Sequence, residues 1–299
     1  VGRRSRAFYA LTAVFVLYVL FLYGPTLTIL VLSFQGPQGG MTFPMQGVSL
    51  HWFHNLFAGI GVPNVVEAMW NSLRLGLLVT VLTVVISIMA GYAFRRRFGG
   101  SNALFFTAIA SLILPSIVVS LGIALEFQLV NKTIAGLGDA YDIGWIQDNF
   151  QTVMGLYTTG LGAQLTWTLP FGLLIMFAVF NRFNPAYEEA ARDLGSMPWQ
   201  TFRYVVLPII APSLVGVALF GFTLSWDEIA RSSQTVGSAN TLPLTLEGLT
   251  STVTTPVIYA LGTTTTAISF TVIGLAIIVV LLVQRSRRRH GSDAGAGLV

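Results

Sequence analysis

Two adjacent carboxylates, Asp227 and Glu228, directly follow Ser225 and Trp226. Such a pair beside an indole can hold an ammonium group, by charge and by attraction of the cation to the ring face. The pair ends an apolar run from Ser213 to Leu224. An ionisable group at the centre of a membrane-spanning helix costs about 2.5–3.5 kcal/mol, so it usually faces a path or a partner. Hydrated acids at the outer surface would look the same in sequence, and both readings stand at this point. A second acidic pair, Glu188 and Glu189, opens a short polar stretch. Lys132 is the only lysine, and although Thr133 follows it, Asn131 stands where a phosphate-binding loop needs its second glycine. Of the three histidines, His51 and His54 flank Trp52 and Phe53 and His290 lies in a basic tail. None is placed to pair with a serine nucleophile, and two histidines without further ligands are a poor metal site. With no cysteine in the chain, thiolate chemistry and disulfides are excluded.

The elements that must position these residues are set by composition. Of 299 residues 54% are hydrophobic and 9% charged, against about 25% charged in soluble domains. About 20 apolar residues cross a bilayer as a helix. Six stretches qualify: Phe8–Phe34, Met69–Phe94, Ala103–Val130, Val153–Phe180, Ile209–Trp226 and Ala260–Val283. The first is too long for a cleaved leader and lacks its small-residue site, so it is read as retained. All basic residues except Arg74, Lys132 and Arg231 fall before span one, between spans two and three, between four and five, or after six. Basic residues favour the cytoplasmic side of short loops, so both termini are expected there. The chain is read as one all-α membrane domain over 1–299, with a cytoplasmic N-terminus over 1–6, a core over 69–283 and a cytoplasmic tail over 284–299 that is disordered from Ser286. Trp52, in a Gly- and Pro-rich outer loop, suggests a short interfacial helix, and Trp145 marks a second outer loop from Asn131 to Thr152. The scattered basic clusters fit a membrane and not nucleic acid. Glu126 and Arg74 are further charges within the spans, each suited to a path or a neighbouring subunit.

The loop between spans four and five reads as two short helices. Asn184 can cap the first, Pro185 suits its first turn, and Glu188 and Glu189 favour its positive end. Gly195 can end it in a left-handed conformation. Ser196 or Met197 with Pro198 restarts a helix that brings Met197, Trp199 and Phe202 onto neighbouring turns, an apolar cluster rimmed by charge and suited to docking. The spacing Glu189-Ala190-Ala191, three residues, Gly195, nine residues, Val205-Val206-Leu207-Pro208 resembles the EAA loop of MetI-like ABC importer permeases, with Val for the usual Ile. In that family the loop docks into the ATP-binding subunit. The resemblance therefore implies ATPase coupling for Glu189, Ala190, Ala191, Gly195, Met197, Trp199, Leu207 and Pro208.

Phe222 to Glu228, followed by Thr241-Leu242-Pro243-Leu244, is similar to the second permease of spermidine/putrescine-type importers. That similarity implies a solute path at Ser225, Trp226, Asp227, Glu228, Trp52 and Ser116. Members of that type often carry an acid after the proline of span three; Ser116 stands there, which points to a smaller amine or an amino-acid derivative beside polyamines. The implied assembly in a bacterial inner membrane comprises two ATP-binding subunits, a second permease and an extracytoplasmic solute-binding protein. This chain would bind no cofactor of its own, ATP and Mg being used by the partner ATPases, whose closure rocks the helices to open the path inward. A secondary transporter using intramembrane carboxylates is the alternative, but it leaves the docking loop without a purpose.

Overall fold

The computed structural model describes residues 5–62, 64–96, 98–252 and 254–289. Arg3, Arg4, Arg97 and the tail from His290 lie outside them. Among the described residues every regular element is a helix, and six helical segments are long and apolar enough to cross a membrane. In order these are α1 (Arg6–Leu32), α2 (His51–Ala58), α3 (Val65–Phe94), α4 (Ser101–Ala110), α5 (Ser116–Ala140), α6 (Gly144–Asn149), α7 (Leu161–Arg182), α8 (Ala186–Asp193), α9 (Pro198–Thr201), α10 (Leu207–Trp226), α11 (Leu242–Thr250) and α12 (Val257–Arg289). π-helical turns at Leu156–Gly160 and Phe202–Val206 lead into α7 and α10.

The chain divides into two units, Val1–Val66 with Thr245–Phe270 and Glu67–Leu244 with Thr271–Val299. In the first, Ser5 caps α1 by accepting the Phe8 N–H at 3.3 Å. The side chains of α1 are almost all exposed, as lipid-facing groups are. Between α1 and α2 the buried Gln35 organises a loop: its amide nitrogen donates to the Gly40 and Thr42 carbonyls, and its oxygen accepts the Gln46 N–H at 2.7 Å. The Tyr259 hydroxyl donates to the Met41 carbonyl at 2.8 Å. This stretch is thus tied in place as well as carrying the short helix expected around Trp52.

The second unit is built on α3, α7 and α10. Lipid tails are as apolar as leucine, so helices there associate through close packing and hydrogen bonds. Small residues line the seams. A Cβ on Gly91 would lie 2.8 Å from the Met176 Cβ, and one on Gly172 would strike Ser87. Thr83 and Thr168 share a buried hydroxyl hydrogen bond of 2.7 Å. Met176, Val179, Phe180, Phe183, Val206, Ile210 and Val217 form the apolar core.

Four expectations are corrected. Span three is not continuous from Ala103 to Val130: it breaks between Ala110 and Ser116, because Pro115 has no N–H to continue the helix. α5 then runs on to Ala140, so much of the supposed loop from Asn131 is helical, and Asn131 is bonded to Thr152 and Val153. The second short helix of the fourth loop is no separate piece; α9 passes through a π turn into α10, and the fifth span runs over Pro198–Trp226. Nor is the tail irregular from Ser286, since α12 continues to Arg289.

Candidate functional site

The loop between the fourth and fifth spans starts where Asn184 accepts the Ala186 N–H at 3.0 Å. α8 ends as its sequence predicts. Gly195 has φ +83, its N–H donates to the Arg192 carbonyl and the Ser196 N–H to the Ala191 carbonyl. These paired bonds satisfy carbonyls that a helix end would leave open. The restart is fixed by Gln200, whose side-chain oxygen accepts the Met197 N–H at 2.9 Å. Leu194 is 89% exposed, Met197 68% and Trp199 66%, while Glu189 and Ala190 are also exposed and Ala191 is half-buried. Phe202 turns inward, stacking on Trp199 and meeting Tyr92 edge-on. Leu207 and Pro208 begin α10, Leu207 half-buried and Pro208 exposed.

What roots this loop is an ion pair that the sequence reading did not identify. Arg95, at the end of α3, donates to both carboxylate oxygens of Glu188 at 2.7 and 3.2 Å. Its guanidinium also lies over Tyr92, Phe180 and Phe183. Glu188 is therefore buried and structural, and its neighbour Glu189 is the acid left facing out. The available signal was no more than an arginine just past one apolar span and an acid two loops further on.

At the other end of α10, Asp227 is exposed and Glu228 half-buried. Both follow the spanning helix. Partial desolvation at the helix end pushes both carboxyls above their ordinary range, while the Arg231 N–H, donated to Glu228 at 3.0 Å, pulls Glu228 back. Ser225 and Trp226 are buried, and the indole stacks on Phe222 with ring centres 5.5 Å apart. The ring face is thus occupied by a neighbour and not offered beside the acids. Thr241-Leu242-Pro243 enters α11 against α3, the Leu242 N–H donating to the Ser72 hydroxyl at 2.7 Å. Trp52 is buried in the first unit, and the acids belong to the second. Glu126 and Arg74 are exposed, Arg74 lying near the face of Trp70.

Ser116 has a partner that was not foreseen. Its hydroxyl accepts from the side chain of Arg231 at 3.3 Å, and that guanidinium also donates to the Thr166 hydroxyl and to the Ser111 carbonyl. Arg231 is wholly buried and lies over the Trp167 ring. In the sequence it counted only as a stray basic residue on the outer side.

Residues 83–290 match the family described as binding-protein-dependent transport system inner membrane component. A spermidine/putrescine transport system permease protein, PotC of Haemophilus influenzae, is 26% identical over 274 residues, covering 91% of this chain and 96% of its own. The putrescine permease PotI of Escherichia coli is 28% identical, over 75% of this chain and 74% of its own. A trehalose permease, SugB of Mycobacterium tuberculosis, is 29% identical, over 77% and 76%. Among solved structures, a bacterial ABC transporter that imports alginate has the same fold, with a TM-score of 0.61 at 17% identity over 96% of each chain.

Proposed function

The chain belongs to the binding-protein-dependent transport inner-membrane components, the multi-pass bacterial permease subunits of ABC importers, which are not themselves enzymes; from that premise we propose how it couples and what it carries. It senses ATP binding in separate ATPase subunits through α8 and the turn that follows. The observation that carries this reading is the exposed cluster of Leu194, Met197 and Trp199 beside Glu189, on a loop held rigid by Arg95–Glu188 and by the left-handed turn at Gly195. An apolar patch rimmed by charge fits a protein cleft. The loop and both termini face the cytosol, as the basic residues favour. A sister permease completes the path, two ATP-binding subunits use ATP and Mg, and a solute-binding protein delivers from outside. A secondary transporter is not favoured.

The solute is a small amine of the polyamine class. Relatives named for spermidine and putrescine support this, but similarity of the same degree extends to a trehalose permease. The acids therefore carry the amine reading: Asp227 and Glu228 put two carboxylates side by side, one of them exposed.

Two measurements test these statements. The tagged chain, purified gently from native membranes, is expected to bring an ATPase and a second permease, and Glu189→Lys or Trp199→Ala to lose the ATPase alone. A chain that purifies without partners, or partners indifferent to both changes, removes the coupling role. In the reconstituted complex Asp227→Asn with Glu228→Gln is expected to lower putrescine uptake about tenfold, the equivalent of about 1.4 kcal/mol. Unchanged uptake leaves the acids as surface groups.

A further inference from the structure

The buried Arg231 is used by neither the coupling surface nor the acid pair. Among the described residues its guanidinium makes no salt bridge at contact distance; the carboxylate of Glu228, three residues away, acts on it only through its field, and a cation held this way is costly to bury. Its acceptors are neutral and lie on two other elements: the Ser111 carbonyl and Ser116 hydroxyl flank the break between α4 and α5, and the Thr166 hydroxyl is on α7. Pro115 explains the first contact. Without its N–H, the carbonyl four residues back, that of Ser111, has no helical donor. Such a carbonyl needs another donor, and the buried Arg231 supplies it at 3.0 Å. The Ser111 hydroxyl in turn donates to the Thr166 carbonyl, closing the contact between the break and α7.

The same arginine is tied to the acids. The carboxylate of Glu228 accepts the Arg231 N–H at 3.0 Å. A solute ammonium at Glu228 would bind the same carboxylate that fixes this turn, which links the solute to the residue that aims the guanidinium. Hydrogen bonds to hydroxyl and carbonyl groups are also more easily exchanged than a buried ion pair. We propose that Arg231 is a positioning residue of the transport cycle, which clasps the break in the third span to the fourth span and opens when solute at Asp227 and Glu228 passes. The proposal rests on the importer reading above.

The test uses the full complex with its partner ATPase in proteoliposomes. Arg231→Met is expected to lower the putrescine moved per ATP hydrolysed by about tenfold, within the range of ordinary site-to-site coupling. Arg231→Lys, which keeps the charge but cannot span three acceptors, is expected to fall between. A merely structural role would reduce the amount of assembled complex and leave that ratio unchanged, which overturns the proposal. Since the chain has no cysteine, Ser111→Cys with Thr166→Cys reads the separation of the break from α7. The disulfide yield is expected to drop about fivefold or more when ATP and vanadate trap the complex; equal yields with and without trapping overturn the proposal. If the arginine variants fail to assemble, or the unsubstituted complex hydrolyses ATP but moves no putrescine, this cross-link comparison decides. An unsubstituted complex without ATPase activity removes the importer reading and the clasp with it.

Discussion

At the scale of single residues, chemistry is divided between neighbours that the sequence presents as equals. Glu188 and Glu189 are adjacent, yet one is turned under α8 to Arg95 and the other faces out. Asp227 and Glu228 split similarly, since only Glu228 accepts a backbone N–H from Arg231. Removing one member of a buried ion pair strands the other charge and costs about 3–5 kcal/mol, whereas replacing both with apolar groups is often neutral. Glu188→Met and Arg95→Met are therefore expected each to lower the melting temperature of the solubilised chain, and the double substitution to recover much of the loss. Additive losses in that thermal cycle would show that the pair contributes nothing as a pair.

At the scale of elements, the helices are decided by local chemistry and their contacts by small residues. The end of α8 was legible because a left-handed turn suits glycine, and Gly195 takes it. The break after α4 was less legible: Pro115 was visible, but the apolar run around it masked the interruption. Hydropathy averages over a window and does not register one missing N–H. The seam between α3 and α7 depends on absent side chains. Gly91→Val would set a Cβ against Met176 and Phe180, and overpacking of this kind costs about 1–3 kcal/mol. Reduced thermal stability with normal membrane insertion is the expected result; a wild-type melting curve would mean the seam can open at no cost.

At the scale of the whole molecule, six spans and a family of inner-membrane permeases follow from the chain's apolar runs and from the match over residues 83–290. The orientation proposed from the basic residues can be measured directly because the chain lacks cysteine. A single cysteine at Leu194 is expected to react with a membrane-impermeant maleimide only in inverted vesicles, and one at Asp142 only in right-side-out cells. Reaction of both from the same side would overturn the topology. The number of spans, the motif between spans four and five and its left-handed turn were set by sequence, because each depends on residues close in the chain: a run of apolar side chains, two fixed gaps, a glycine at a helix end. The contacts of Arg95 and Arg231 were decided only by tertiary structure. Arg95 meets Glu188 across 93 residues and Arg231 meets Ser116 across 115, and a single sequence holds no local signal for a partner so distant. The same is true of Trp226, whose indole looks like a cation-binding face until Phe222 is packed upon it.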